Sequence, residues 1–395
     1  MKRSLFISAF CLVCSLAIFG QQSVPQTLVL DGEVLFKNRE LAAKSKNPAL
    51  NELVKDADKI VKRGKIYSVM NKEQVPPSGD KHDYMSQAPY WWADPSKPNG
   101  LPYIRRDGER NPELNKITDK DELGKMLDDA ETTAIAYFFT NQESYAKHSA
   151  DLLRAWFIDA KTRQNPNLKY AQGIPGINTG RGIGLIETRE LYRIIDAAIL
   201  LKTSKSWNES DHNSLKKWFA DFYKWMLESD LGKDEAKAKN NHGTHYDVQI
   251  IAFSLFADQP QIARKQLEVS KQRIKSQFEK DGSLPLELER TLSWDYSFMN
   301  LNGFFTIARL AENLKIDLWN YETDGKGLKK AVEWLTPFAK GEKKWTHQQI
   351  KPRELHNTVK VFNTAAKKYK SKDYQEIADK FSKEEQPSAF ELLTK

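Results

Sequence analysis

The sequence predicts an all-α protein, an (α/α) toroid assembled from helical hairpins, and three observations carry this. Apolar residues recur at three- and four-residue spacing through most of the chain after residue 118. Helix-start residues precede several of these runs. Strand-like alternation bounded by hairpin turns is scarce. Helices of about 12–20 residues joined by short turns pair into αα-hairpins, and about six or seven such pairs would curl into an incomplete or closed toroid with long loops lining a cleft. No clean internal repeat marks the pairs, and an open bundle or a helical solenoid would share the periodicity.

Taken in order, the first element is a targeting signal. Lys2 and Arg3 precede an apolar stretch from Leu5 to Phe19, and Gly20 stands before Gln21 and Gln22. This matches a secretory signal peptide over residues 1–20, too short for a comfortable membrane span. The protein is therefore expected to be exported, periplasmic or secreted, with no membrane span in the remainder. Both cysteines, Cys11 and Cys14, fall in this segment. The mature chain is then free of disulfides and thiolate metal sites. Val13, where a small residue is expected, argues against a lipid anchor on Cys14.

Residues 21–47 read as a polar lead-in with one apolar run, Thr27 to Leu30, and 48–395 as a single helical domain. A helix is predicted from Pro48 to Lys62. Residues 71–117 form a long loop rich in Pro, Gly and aromatics, and such loops inside a compact domain usually carry function. Asp119 starts a helix over 121–140. Further helices are read near 142–158, 184–202, 245–257, 326–339, 353–370 and 373–382. Between them, Leu215, Trp218, Phe219, Phe222, Trp225 and Met226 share one helical face. Asp258 and Pro260 open a helix over 260–278. Leu301, Phe304, Ile307, Leu310 and Leu314 mark another at 296–314.

Composition narrows the function. Hydrophobic residues make up 40% and charged residues 29% of the chain, as in a globular protein. Aromatics reach 11%, which suits either packing or stacking on sugar rings. A net charge of +8 favours an anionic partner. No zinc finger, RNA-recognition motif or basic arm supports nucleic acid. An acidic glycan remains, bound by a protein expected to act as a monomer.

Two clusters carry chemistry. Asn240, Asn241, His242 and Gly243 stand before an apolar helical run, with His245 and Tyr246 just beyond. Amide, imidazole and backbone N–H donors at the positive end of a helix favour an anion. Arg290 and Tyr296 lie six residues apart, across a loop into the next helix. In a 4-linked uronate the C5 proton is α to a carboxylate. Donors must neutralise that carboxylate while a base takes the proton and an acid protonates O4. Asn241, His242 and Arg290 are suitable donors. A free tyrosine, with a pKa of about 10, is a poor base until a cation such as Arg290 lowers it. Tyr246, one helical turn after His242, is a rival to Tyr296.

The chain resembles the alginate-lyase-like family of helical polysaccharide lyases. Asn240-Asn-His-Gly-Thr244 is similar to that family's neutraliser motif, and the stretch from Arg290 to Tyr296 to its catalytic Arg-Tyr segment. Residues 82–95, with Gly100–Tyr103, Asp107 and Gly108, are similar to its aromatic loop. Residues 178–189 are similar to its Gly-rich turn. The resemblance implies a toroid that cleaves alginate or glucuronan. It implies catalytic roles for Asn241, His242, Arg290 and Tyr296. It places Tyr90, Trp91 and Trp92 at sugar subsites, with Asn178, Thr179 and Arg181 nearby, and Arg189, His245 and Tyr246 are added as substrate contacts. No metal or cofactor is called for, because amide, imidazole and guanidinium can neutralise the carboxylate. Two alternatives stay open: a uronate hydrolase using Glu287, Glu289 or Asp295, and a non-catalytic glycan-binding protein.

Overall fold

The computed structural model describes residues 23–44, 46–384 and 392–393. The signal segment 1–20, with Cys11 and Cys14, lies outside the described residues. Among those described, the chain forms fourteen α-helices. They are α1 (Gly32–Lys44), α2 (Pro48–Arg63), α3 (Asp119–Thr140), α4 (Glu143–Leu153), α5 (Tyr192–Leu200), α6 (Glu209–Glu228) and α7 (Asp230–Ala236). Then follow α8 (Asn241–Phe256), α9 (Pro260–Gln277), α10 (Pro285–Leu288), α11 (Ser293–Glu312), α12 (Leu328–Lys340), α13 (Leu355–Lys368) and α14 (Lys372–Glu384).

Consecutive helices pair, α3 on α4, α8 on α9 and α13 on α14. A second set of packings, α3 with α5, α5 with α8, α8 with α11 and α11 with α13, links the pairs into an arc. The arc is a helical toroid that does not close into a barrel. α8 and α11 are its central helices. Val248, Ile250, Ile251, Ala252 and Phe253 are all fully buried, as are Asp247, Gln249 and Ser254 between and beside them, so α8 is enclosed on every side. On α6 the predicted face holds, with Leu215, Phe219, Phe222 and Met226 fully buried.

Three local readings change. α1 lies within the stretch read as a polar lead-in. Over 184–202 a 3₁₀ turn at Gly182–Thr188 precedes α5, which starts only at Tyr192. α8 begins at Asn241 rather than 245, so Asn241 and His242 belong to its first turn, capped by the Asn240 side chain.

The long loop carries short strands. β1 (Met85–Gln87) pairs in parallel with β4 (Tyr170–Gly173), and β2 (Trp91–Trp92) pairs antiparallel with β3 (Ile104–Arg105). Ahead of α1 a strap of chain crosses the arc. The backbone N–H groups of Leu28, Val29 and Leu30 donate to the buried Asp196 carboxylate at 2.6, 3.0 and 2.7 Å. Arg309 donates to the Val29 and Leu30 carbonyls, and Asn313 to that of Leu28. Among the described residues no helix is long and apolar enough to cross a membrane.

Candidate active site

The first turn of α8 is shaped by its neighbours. Arg273 donates to the carbonyls of Ala236 and Ala238 and to the buried Asp247 carboxylate. Its guanidinium passes so close that a Cβ on Gly243 would overlap it, which explains the glycine after His242. Asn241 is fully buried. Its backbone N–H and side-chain amide both donate to Glu287, at 2.7 and 2.8 Å, and Asn300 adds a third hydrogen bond at 2.9 Å. Burial pushes the Glu287 carboxyl up, and the Asn241 hydrogen bonds oppose that without reversing it. His242 keeps 17% of its side chain exposed. Its Nδ1 lies 2.8 Å from Glu235, a buried carboxylate on α7, which leaves Nε2 for the cleft.

Tyr296 sits in the first turn of α11. Its hydroxyl is 2.9 Å from that of Tyr90, and the Arg290 guanidinium lies 3.8 Å from its ring centre. Arg290 is in turn held by Asp107, through Nε at 3.1 Å and a terminal nitrogen at 2.8 Å. Burial pushes the Asp107 carboxyl up, but Arg290, Thr291 and Arg105 outweigh it and hold the group at about 2. Asp107 is delivered by a tight turn. Gly108 has φ +76°, and a Cβ there would stand 2.5 Å from the Thr291 hydroxyl. The expected lowering of the Tyr296 pKa is not found. Burial pushes the phenol well up, Tyr90 adds to this, and the Arg290 charge opposes without reversing it. At neutral pH Tyr296 is therefore a phenol.

The aromatic loop is pinned over this centre. Trp91 pairs with Arg105 across the β2–β3 ladder, and Asn111 donates to the Trp91 carbonyl. Successive strand residues point to opposite faces. The Trp91 ring lies 5.9 Å from Arg181, whereas that of Trp92 lies 5.3 Å from Arg106, with its indole N–H on the Glu109 carbonyl. Arg181 is held by Gln172. Burial and the charge of Arg105 lower its pKa to about 10, and it lies within electrostatic range of Glu235. These relationships bring together Asn241, His242, Arg290, Tyr296, Tyr90, Trp91 and Arg181.

Other predicted residues stand apart. Tyr246 is in the core, its hydroxyl donating to the Met226 carbonyl and its pKa pushed up by burial, so it is not placed as a rival acid. His245 is buried, and burial with the Arg189 charge lowers its pKa to about 3. His245 and Arg189 share a polar pocket with Lys360. Asn178 and Thr179 are exposed on a turn, where the Asn178 side chain accepts from the Ile174 N–H. Sequence reasoning missed the roles of Glu235 and Asp107. The Asp107-Gly108 turn signal could have pointed to the second.

The carboxylates offered for a hydrolase are engaged or misplaced. Glu287 is buried under Asn241, Asp295 accepts from Gln349 and the Glu354 N–H, and Glu289 is exposed. No pair faces a shared cleft, as hydrolysis would need.

Comparison with known proteins shows the family of the chain. The family profile described as Alginate lyase matches residues 68–345. A crystal structure of an alginate lyase from Bacteroides ovatus is 37% identical, covers 94% of this chain and 100% of that one, and superposes with a TM-score of 0.89. Alginate lyase A1-III from Sphingomonas species A1 shares the fold at 14% identity and a TM-score of 0.56, covering 90% of this chain and 93% of that one. A histidine-to-alanine variant of A1-III complexed with tetrasaccharide is similar at 0.57. No curated protein sequence matches the chain. With the profile spanning most of the chain and a full-length relative at this identity, the chain belongs to the alginate lyase family, and it is a polysaccharide lyase.

Proposed function

We propose that the protein cleaves 4-linked polyuronates by β-elimination, alginate before glucuronan, leaving 4,5-unsaturated uronate ends. The observation that supports this best is the Tyr296 phenol, set between the Arg290 cation at 3.8 Å and the Tyr90 hydroxyl at 2.9 Å. The Arg290 charge stabilises the phenolate once a proton leaves, while burial and Tyr90 favour the phenol. As a phenol, Tyr296 carries the proton that the departing O4 requires. To act as the base it must first lose its own proton to solvent; the phenolate then takes the C5 proton and passes it on to O4. His242, and the second amide hydrogen of Asn241, are the donors for the C5 carboxylate, where charge develops. Arg290, committed to Asp107 by two nitrogens, acts on Tyr296 rather than as a bidentate clamp on substrate. Trp91 and Arg181 form the adjoining wall, one for a sugar face and one for a carboxylate. The reading needs no metal or cofactor.

One observation favours a second base for some substrates. Glu235 on Nδ1 leaves the His242 Nε2 lone pair toward the cleft when the imidazole is neutral. Mannuronate and guluronate differ at C5, so their C5 protons lie on opposite ring faces. A single tyrosine serves the face it shares with O4, and His242 is the group available for the other. Export through residues 1–20, and action as a monomer, belong to the same proposal.

The test is a substrate panel. Mannuronate-rich alginate, guluronate-rich alginate and glucuronan are each incubated with the protein while absorbance at the enoyl band is followed. A rise on at least one polymer supports the reading. New reducing ends without absorbance would mark a hydrolase, and binding with neither a glycan-binding protein.

A further inference from the structure

The lumen of the toroid holds a cavity of about 540 Å³, between α3, α5, α11 and α13 and beneath the strap at Val29–Asp31. An extension of about 20 Å³ reaches His245 and Asn357, sharing Glu190, Tyr192 and Lys360 with the main space. Tyr296, Arg290 and His242 line neither. The acidic groups here are engaged. Arg193 holds Asp128, Glu131 and Glu190 at 2.8, 2.6 and 3.2 Å, and Arg309 reaches Asp31 at 3.9 Å.

One donor and one acceptor are not engaged. The Lys360 ammonium has no ion pair or hydrogen bond among the described residues, although Glu190 and Glu131 lie within electrostatic range. The neutral His245 ring donates to the Met299 carbonyl, and its Nε2, in a residue only 7% exposed, is left as a buried lone-pair acceptor without a partner. Buried polar groups are nearly always paired, so the His245 nitrogen calls for an explanation, and the half-buried Lys360 ammonium beside it adds an unmatched charge. Arg189 stands beside them, paired with Glu190 at 3.5 Å and donating to the Ile186 carbonyl at 3.4 Å. The extension has room for one water-sized group, the size of a carboxylate tip. The main cavity is of ordinary small-molecule size, and Tyr192, Phe305 and Trp319 give it flat apolar sides.

We propose that the lumen is a second binding site, separate from the cleft, for a hexuronate of one or two rings. Its carboxylate lies between Lys360 and Arg189, one of its hydroxyls donates to His245 Nε2, and its ring lies against Tyr192 in the main cavity. Binding, not turnover, defines the site, so it stands or falls apart from the lyase reading.

Titration calorimetry of D-glucuronate into the Tyr296→Phe protein tests this, with D-glucose as the neutral control. Saturable binding of glucuronate and none of glucose is expected. Lys360→Met should weaken it at least tenfold, the loss of one hydrogen bond to a charged group, while His242→Ala in the cleft leaves it unchanged. If Lys360→Met does not fold, Asn357→Leu at the mouth of the extension is read in its place, with the same weakening expected. Absence of saturable binding overturns the proposal. So does weakening by His242→Ala as large as that by the lumen variant, which would put the sugar in the cleft.

Discussion

Arg290 meets Asp107 through two nitrogens, at 3.1 and 2.8 Å, and lies over the Tyr296 ring at 3.8 Å. One cation thus serves a carboxylate from the aromatic loop and the phenol of α11. Asp107→Asn keeps the shape but removes the charge and one acceptor. kcat is expected to fall about tenfold to a hundredfold, the loss of a charged hydrogen bond, with KM little changed. Steady-state kinetics decide it, and an unchanged kcat would show that Arg290 is oriented by other groups. The same pair sets an acid limit. The folded Asp107 value of about 2 lies below the ordinary carboxylate value. Its stabilisation is therefore present above about pH 4 and lost as pH falls toward 2. Melting temperatures of wild type and Asp107→Asn should differ at neutral pH and converge near pH 2.

Tyr296→Phe removes the proton-carrying oxygen and leaves the ring under Arg290. A loss of roughly 10²–10⁴-fold in kcat is expected, the range for general acid–base catalysis, with the melting temperature nearly unchanged. Retention of more than about a tenth of the rate would transfer the acid role to His242, because Tyr246 is spent in the core.

Asn241 and His242 are neighbours in sequence but differ in burial, so they should fail differently. His242→Ala is expected to lower kcat on the order of 10²-fold with little change in stability. Asn241→Ala strips a hydrogen bond from the buried Glu287 carboxylate and should also cost about 1–3 kcal/mol of stability. Chemical denaturation beside kinetics separates them. Equal stability losses would mean that Glu287 finds another donor.

Trp91 and Trp92 point to opposite faces of the loop ribbon. Trp91→Ala, on the Arg181 side, should raise KM for long polymer several-fold. Trp92→Ala, on the Arg106 and Glu109 side, should leave KM closer to wild type. KM measured for both variants tests this, and the reverse order would turn the ribbon around. Neither change should cost the 3–5 kcal/mol of a buried aromatic truncation, since both rings are half-exposed. Tyr84, fully buried in the same loop, should.

Helices with a one-sided apolar stripe are legible in the sequence. Leu215, Phe219 and Phe222 announce α6 by spacing alone. α1 is not legible, because Val34, Leu35 and Leu41 are diluted by Lys37, Arg39 and Glu40, and its helix is decided by docking on the toroid. At 182–188, two glycines and Thr188 favour a tight 3₁₀ turn over the α-helix that Ile183, Leu185 and Ile186 suggest. In the site, the groups that do chemistry at the start of a helix can be read, since Asn240, His242 and Gly243 are poor helix-interior residues close together. Their supports cannot. Glu235 is one more acidic residue on a charged helix until His242 folds onto it. Asp107 finds Arg290 across 183 positions of sequence. Such pairings are made by tertiary structure and leave no local period.

The strap at Leu28–Leu30 has a consequence for the order of events in assembly. Its anchor Asp196 lies 168 positions downstream of Leu28, and Arg309 lies 280 downstream of Val29. A chain made from its N-terminus carries the strap unpaired until most of α11 exists. A stretch made early is thus among the last to be seated, and the arc receives this crossing piece only when most of its helices are in hand. Deleting residues 23–30 should therefore leave the helices able to form but deprive Asp196 of its three donors, a nearly complete molecule with its latch undone.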